Sequence, residues 1–273
     1  MRLASQPLWS LLGSSAYLAA VASAADVLDI GLAFPRANAT YAPADDFPIV
    51  FALQNSKLSE HLNPSIWFRV INITNWPPDI EVLVSESTFE FNWTRASAND
   101  PYFLWSRFNV EGEGKLRIMW QPSWSSCDES GSQPDIARNH TENFLVDFEI
   151  KQGGGNADLV AATNGDSNDC PNEGIAIEVS DKTLVSPAGY LGRKETETCA
   201  VLPPSSTAAA SNPCKVKIDE AVVESMKTVD LIKECRAINK PAECPEEDLA
   251  LPKIAAVGIS GLAAILGAAF FLG

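Results

Sequence analysis

Histidine is scarce in this chain, with His61 and His140 the only two among 273 residues. A catalytic serine triad needs a histidine as its base, and neither of these lies in a recognisable motif. The patterns G-x-S-x-G and H-E-x-x-H are absent. No C-x-x-C pair occurs, which leaves too few ligands for a zinc site. We therefore expect a non-enzymatic protein with no catalytic residue, no metal site and no cofactor.

Positive charge is also in short supply. The 20 Lys and Arg stand against 35 Asp and Glu, which gives a formal net charge of −15. This excess of negative charge argues against nucleic acid as a partner and against electrostatic binding to anionic lipids. It is typical of a soluble surface that repels other copies of itself.

Carboxylates are plentiful, but two arrangements that could use them fit poorly. Asp147 and Glu149 share one face of a predicted strand, as the two acids of a glycosidase would. That face lies opposite an apolar face, so a solvated outer surface explains both acids better. Asn164, Asp166 and Asn168 alternate like the start of a calcium loop, but neither the glycine nor the final glutamate of such a loop follows.

The two ends of the chain contain its longest stretches without charge. Residues 1–24 combine Arg2, an apolar run and a small-x-small site ending at Ala24, which predicts a cleaved secretory signal peptide. Residues 254–273 are long enough to cross a bilayer, and no basic residue follows them. We expect a signal for a lipid (GPI) anchor, with Ala242 or Cys244 as the attachment site. The alternative is a retained transmembrane helix, and either one attaches the protein to a membrane at an outer surface.

Six cysteines in a chain with a secretory signal predict disulfide bonds. Two long loops hold Cys127 and Cys170, and a bond between these two would tie the loops together, although Cys199 competes for either partner. Two of the remaining cysteines would close the region around a C-terminal helix. The cysteines predicted to form disulfide bonds are Cys127, Cys170, Cys199, Cys214, Cys235 and Cys244.

Four Asn-x-Ser/Thr sequons support the same compartment, because N-linked glycans are found on secreted proteins. The first sequon, NAT at residues 38–40, lies where Pro35, Pro43 and Pro48 interrupt strand pairing. We expect a loop or an edge strand there, which a glycan would cover. The predicted glycosylation sites are Asn38, Asn72, Asn92 and Asn139.

Alternating apolar residues dominate residues 25–202. A period of two, carried by aromatic and β-branched residues, predicts about nine half-buried antiparallel strands and no helix. A domain of this length closes its core as a β-sandwich, of the immunoglobulin-like or jelly-roll type. The clearest alternating sets are Leu28, Ile30, Leu32 and Phe34, then Phe47, Ile49, Phe51 and Leu53, and later Phe144, Val146, Phe148 and Ile150.

Beyond these strands the pattern changes. Residues 203–213, PPSSTAAASNP, indicate a linker. Helical spacing follows, which predicts one short amphipathic helix between Cys214 and Cys235. We expect residues 214–253 to form a helical stalk that leads into the hydrophobic tail helix at 254–273. The apolar positions with helical spacing are Ile218, Val222, Met226, Val229 and Ile232.

Three tryptophans are each followed two residues later by an arginine. On a strand, residues i and i+2 share a face, so each arginine would lie beside its own tryptophan. On neighbouring strands the guanidinium groups would stack on the rings as a structural ladder, which we favour. Free and coplanar rings would instead form a platform for sugar rings. The residues of this Trp–Arg face are Trp67, Arg69, Trp93, Arg95, Trp105 and Arg107.

The segments FPRANATYAPADDFPIVFALQN and CKVKIDEAV, with the scattered tryptophans between them, resemble one family. It comprises secreted, surface-anchored proteins of filamentous ascomycete fungi that are classed only as a domain of unknown function. The resemblance extends over about residues 25–244. It implies a fungal source and a cell-surface setting. It assigns no catalytic residue, because the family has no established activity.

Together these features predict a non-catalytic glycoprotein on the outer face of the plasma membrane or in the cell wall, with a structural or adhesive role. The alternative is a carbohydrate-binding or carbohydrate-active domain that acts on cell-wall glycans, since aromatic side chains on a β-sandwich can dock sugar rings. A secreted enzyme without a familiar motif is a third hypothesis. The expected partners are the membrane, reached through the tail or its lipid, and cell-wall glycans.

Overall fold

A computed structural model describes residues 27–75, 82–91, 99–128, 137–165, 172–186, 197–203 and 211–236, together with Ala242 and Cys244. This part of the chain is mainly β, with antiparallel sheets and few helices, as the alternation predicts. Several predicted features lie outside the described residues. They are the signal peptide, most of the linker, the hydrophobic tail, Asn92, Trp93, Arg95 and Cys170.

Twelve strands occur within the described residues. In chain order they are β1 (Val27–Phe34), β2 (Thr40–Tyr41), β3 (Ala44–Gln54), β4 (Ser65–Asn72), β5 (Val82–Glu90), β6 (Tyr102–Val110), β7 (Gly114–Cys127), β8 (Ala137–Thr141), β9 (Phe144–Ile150), β10 (Gly174–Glu178), β11 (Thr183–Ser186) and β12 (Glu197–Ala200). One sheet has four strands in the order β10-β1-β3-β6. A six-stranded sheet has the order β2-β9-β7-β4-β5, with β8 paired to the far end of β7. β11 and β12 form a small third sheet.

The core lies between the inner faces of the two larger sheets. Phe51 of β3 packs against Phe68 of β4 and Trp120 of β7, with ring centroids 5.7 Å and 5.3 Å apart. Phe47 of β3 stacks on Phe148 of β9 at 5.4 Å. Burying each such side chain stabilises the fold by about 1.5–3 kcal/mol, so these contacts hold the sheets together. The alternating residues predicted for β1 and β3 are fully buried here, which confirms the predicted inner faces.

The proline-rich segment after β1 agrees with the prediction in one part only. β2, which begins at Thr40, is an edge strand that runs parallel to β9. Pro48, by contrast, lies within β3, an internal strand of the four-stranded sheet. The prediction of a loop or edge strand is wrong there. The ladder between β1 and β3 ends at the pair Phe34 and Val50, so no β1 residue stands opposite Pro48 and needs its missing N–H.

Helices accompany the strands at a few places. They are α1 (Leu159–Thr163), α2 (Glu220–Cys235) and the short 3₁₀-helices Ser56–Ser59 and Pro213–Lys215. α2 confirms a helix that ends at Cys235, but it begins at Glu220, so Ile218 of the predicted stripe precedes it. Asp219 caps α2 by accepting a hydrogen bond from Val222 N at 2.8 Å. α1 contradicts the prediction of no helix before residue 202. The prediction failed because five residues are too few to display a helical period. No helix in the described part of the chain is long and apolar enough to span a membrane.

The segment before α2 packs on β1. Ser211 Oγ donates a hydrogen bond to Asp29 Oδ1 at 2.6 Å. Pro213 lies so close to Gly31 that a Cβ atom at this glycine would be 2.5 Å from the proline Cβ. The apolar face of α2, including Met226, is buried in the same core cluster as the strands. α2 therefore packs as part of the folded domain and is not the separate stalk predicted. Helical spacing shows that a helix has an apolar stripe, but it does not show which residues cover that stripe.

One disulfide bond closes the far end of β7. Cys127 is bonded to Cys199 of β12, with their Cα atoms 5.6 Å apart. The predicted bond between Cys127 and Cys170 is therefore wrong, and the competitor Cys199 is the partner. β7 is long enough to bring Cys127 beside the end of β12, where it forms a parallel β-bridge to Val201.

The remaining described cysteines lie on either side of α2. Cys235, the last residue of the helix, is bonded to Cys244, with Cα atoms 5.5 Å apart. Cys214 is also disulfide-bonded. Arg36 Nη1 donates a hydrogen bond to Cys214 Sγ at 2.9 Å. These contacts support the prediction that cysteines close the region around the C-terminal helix.

Candidate functional site

Trp105 and Arg107 lie on the face of β6 that α2 covers. Trp105 Nε1 donates a hydrogen bond to Asp230 Oδ1 at 2.9 Å, and Arg107 Nε donates to Asp230 Oδ2 at 2.7 Å. Arg107 also pairs with Asp46 of β3, through Nη1 at 2.8 Å. Lys233 Nζ lies 5.1 Å from the centre of the Trp105 ring, within cation–π range. We call Trp105, Arg107, Asp230 and Lys233 the α2 clamp.

The α2 clamp makes Trp105 a structural residue. The tryptophan is 7% exposed, and its only polar atom is bound to Asp230. Hydrogen bonds to charged groups contribute about 1.5–3 kcal/mol each, although solvent screening weakens those at the rim. The ring is therefore covered by the protein's own helix and is closed to an external ligand.

Trp67 and Arg69 lie on β4, on the outer face of the six-stranded sheet. Arg69 Cζ lies 5.8 Å from the centre of the Trp67 ring, which is the contact that the ladder hypothesis requires. Trp67 Nε1 donates a hydrogen bond to Glu86 Oε1 of β5 at 2.7 Å. This repeat is thus engaged by its own arginine and by a neighbouring strand.

The two described Trp–Arg repeats do not share a face. Trp67 and Arg69 belong to the six-stranded sheet, whereas Trp105 and Arg107 belong to the four-stranded sheet. The single ladder that we predicted is therefore not formed by these two repeats. Sequence reasoning also missed Asp230, because it lies 125 residues from Trp105 and no local pattern links them.

A cleft opens at the edge of the six-stranded sheet where β2 and β9 run side by side. Its volume is about 270 Å³, and it is lined by residues with hydroxyl, amide, ammonium and carboxylate groups together with two apolar residues. Such a mixture of donors and acceptors suits a small polar ligand. The lining residues are Asn38, Thr40, Ile73, Lys115, Asp147, Phe148 and Glu149.

The two carboxylates that we weighed as a glycosidase pair both line this cleft. Asp147 is held by Arg117 through two hydrogen bonds, from Nε at 2.7 Å and from Nη2 at 2.8 Å. The bonded carboxylate raises the pKa of the Arg117 guanidinium above its ordinary value. Glu149 accepts a hydrogen bond from Thr40 Oγ1 at 3.4 Å. Asp147 is thus engaged as the partner of an arginine, which agrees with the structural interpretation of this face.

Three of the four predicted glycosylation sites are described. Asn38 and Asn139 are exposed, and Asn72 is half-buried. The Asn72 sequon is folded into a turn, since Asn72 Oδ1 accepts a hydrogen bond from Thr74 N at 2.9 Å. Thr74 Oγ1 in turn accepts from Lys115 N at 2.9 Å. Asn38 and Ile73, one residue from each of two sequons, therefore meet at the same cleft.

The two histidines lie apart from the cleft residues. His61 is near Glu60, with Nε2 3.7 Å from Oε1. His140 on β8 stacks on Trp124 of β7, and its Nε2 forms a 2.6 Å hydrogen bond with Ser126 Oγ. This serine–histidine pair was not found from sequence, because it needs the β7–β8 pairing. Ser126 is 3% exposed, so its hydroxyl is closed to a substrate carbonyl.

Within the described ranges, no group of His, Cys, Asp and Glu side chains is placed to hold a metal ion. No curated protein and no solved structure matches the chain. A domain of unknown function, DUF7136, matches residues 23–244, which is most of the sequence. It covers the strands, the cleft and α2 alike. The chain belongs to this DUF7136 family of unknown function.

Proposed function

We propose that the protein is a non-catalytic glycoprotein of the cell surface or cell wall with a structural or adhesive role. The observation that carries this proposal is the α2 clamp. It fastens the helix that precedes the predicted membrane tail to the four-stranded sheet through Asp230. A surface-anchored domain needs such a firm connection, because any load on the domain passes through this segment to the anchor.

The compartment supports the same proposal. Disulfide bonds such as Cys127–Cys199 are compatible with an extracellular or secretory location. We propose that residues 1–24 are removed as a signal peptide and that residues 254–273 direct lipid anchoring, with a retained transmembrane helix as the alternative. A fungal source remains what the sequence resemblance implies.

The architecture that we propose for this role is a β-sandwich of the immunoglobulin-like or jelly-roll type. The contacts of Phe51 with Phe68 and Trp120 across the two sheets support it. Two sheets that share one core form a rigid body, which suits a structural or adhesive domain.

A second candidate function is carbohydrate binding or processing on wall glycans, and the cleft favours it. Lys115 and Glu149 supply a charged donor and a charged acceptor at the edge of an exposed sheet. In this alternative the cleft, and not a tryptophan platform, is the binding site, because the Trp105 ring is covered by α2.

A glycan array and wall-polysaccharide retention assay on the secreted protein separates the two functions. The structural role predicts no specific retention and no turnover of the same polysaccharides. Retention that Lys115→Ala abolishes would establish the carbohydrate-binding alternative. Lys227→Ala is the matched control, because Lys227 is an exposed lysine of α2 that is paired with Glu224.

Attachment is tested on intact cells. Phospholipase treatment that releases the protein into the medium supports the lipid anchor, whereas release that requires detergent supports a retained helix. Protein that stays in the cytosol with free thiols would contradict the whole proposal.

A further inference from the structure

The cleft at the edge of the six-stranded sheet is lined by the very asparagine that begins a sequon. Asn38 and Thr40, the first and third residues of that sequon, both line the cleft and are both exposed. Lys115, Glu149 and Ile73 line the same cleft. A sugar attached to the Asn38 side chain therefore starts inside the cleft and not above a flat surface.

The backbone around Asn38 is fixed to the sheet. Asn38 N donates a hydrogen bond to Asp147 O at 2.7 Å, and Glu149 N donates to Ala39 O at 2.9 Å. The turn itself is closed by the hydrogen bond from Ala39 N to Arg36 O at 3.3 Å. Asn38 has φ 61°, in the left-handed region that asparagine tolerates better than most residues. The attachment point is thus held in place by β9, which limits where the first sugar can lie.

The chemistry of the cleft matches that of an N-acetylglucosamine ring. The Lys115 ammonium can donate to hydroxyl or acetamido oxygens, and the Glu149 carboxylate can accept from hydroxyl groups. Ile73 offers an apolar contact for the C–H face or the acetyl methyl group. A volume of about 270 Å³ suits one or two sugar rings and not a longer chain.

We propose that the innermost sugars of an N-glycan on Asn38 are the resident occupant of this cleft. Lys115 and Glu149 are their hydrogen-bonding partners, and Ile73 is their apolar contact. The inference rests on the proposed function, because it requires a secreted glycoprotein. Covalent attachment gives the sugar a high effective concentration at the site, so individually weak contacts are enough to hold it.

This occupant would also cover part of the sheet. Within strands, the cleft residues come from β2, β9 and the start of β7, and β9 lies between the other two strands, so a sugar seated there lies over the outer face of β9. The glycan is then a part of the fold, and not only a modification of its surface.

The Asn139 sequon provides a matched control. Asn139 is also exposed, but it pairs with Ser125 on β7, whereas Lys115 lies at the other end of the same strand. Ten residues of strand separate the two positions by about 30 Å. A sugar on Asn139 therefore cannot reach the cleft.

The test uses full-length protein secreted by a glycosylating host and trimmed by an endoglycosidase that leaves a single N-acetylglucosamine at each occupied site. Wild type is compared with Asn38→Gln, Thr40→Ala and Asn139→Gln. Asn38→Gln and Thr40→Ala remove the same glycan while changing different cleft residues. The readouts are the rate at which an amine-reactive ester acylates Lys115, followed by peptide mass spectrometry, and the Tm.

We expect Lys115 to react more slowly in wild type and in Asn139→Gln than in both sequon-38 variants. We also expect those two variants to melt about 2–4 °C lower than wild type, the shift that corresponds to one lost hydrogen bond. If mass spectrometry finds the Asn38 peptide of wild type without a sugar, this inference is overturned. Asn38 would then also no longer count among the glycosylation sites of the proposed glycoprotein. An occupied Asn38 with equal Lys115 reactivity in all four proteins would overturn the inference alone.

Discussion

Replacing Asp230 by Ala tests whether α2 is held to the sheet as its contacts indicate. Trp105 is 7% exposed, and the substitution leaves its Nε1 without a hydrogen-bond acceptor. It also removes the carboxylate that Arg107 Nε donates to. A hydrogen bond to a charged group contributes about 1.5–3 kcal/mol, and solvent screening reduces the share of the more exposed Arg107 contact. We expect the free energy of unfolding to fall by about 2–3 kcal/mol, which lowers Tm by about 4–12 °C.

Differential scanning calorimetry of the secreted protein measures this change, and two further variants calibrate it. Asp230→Asn keeps an oxygen for Trp105 but loses the charge, so its Tm should fall between those of wild type and Asp230→Ala. Lys227→Ala removes the ion pair of the same helix in which Lys227 Nζ lies 2.7 Å from Glu224 Oε1. Both side chains are exposed, and such surface pairs contribute about 0–1 kcal/mol. An Asp230→Ala protein as stable as Lys227→Ala, with unchanged hydrogen exchange in α2, would refute the role of the α2 clamp.

Three further predictions concern how the domain is closed. Gly31→Ala should lower stability by about 1–3 kcal/mol, because its Cβ would meet Pro213 at 2.5 Å. Burial raises the pKa of Asp29 above its ordinary value of 3.8, against hydrogen bonds that lower it. Wild type should therefore lose stability relative to Asp29→Asn as the pH rises from below 3.8 through the raised pKa. Removing the Cys127–Cys199 bond, which spans 72 residues, should cost about 2–5 kcal/mol.

Each of these predictions has its own comparison. Gly112→Ala is the control for Gly31, since a Cβ there meets nothing within 4 Å, and equal effects of the two would contradict the packing argument. For Asp29, a stability difference between the two proteins that stays constant across acid pH would exclude its raised pKa. The Cys235–Cys244 bond spans only 9 residues, so removing it should cost about 2 kcal/mol less than removing the longer closure. Equal losses would contradict the loop-entropy argument.

The strands of the core could be predicted from the sequence because a period of two is a local signal. The alternation in β1 and β3 identifies the very residues that are fully buried. The helical spacing identifies the end of α2 at Cys235, but the helix begins only at Glu220, after Ile218 of the predicted stripe. α1 could not be predicted, since five residues do not display a period. Local patterns thus identify faces and periods where a segment is long enough to show them.

What the local pattern cannot provide is the identity of the partner. Trp105 and Asp230 are separated by 125 residues, and nothing near either one indicates the other. The same limit explains the wrong disulfide, because loop length favoured Cys170 whereas the long β7 brings Cys127 to Cys199. The cleft was missed for a related reason. Asn38, Lys115 and Glu149 come from three separate parts of the chain and meet only through the pairing of β2, β9 and β7.

The two sheets have their outer faces occupied in different ways, and this difference limits where a ligand can bind. Trp105 lies under α2, with Lys233 over its ring, and Trp67 is engaged by Arg69 and Glu86. A sugar platform needs a free ring face, which Trp105 does not offer. If the secreted protein is retained on wall glycans after all, the cleft is the place among the described residues to expect the contact, and the Asn38 glycan would then not fill it. Lys115→Ala should then abolish retention, and Asp230→Ala should leave it intact. The opposite result, retention that depends on Asp230, would mean that α2 itself forms the binding surface, and the proposed anchoring role of the α2 clamp would have to be given up.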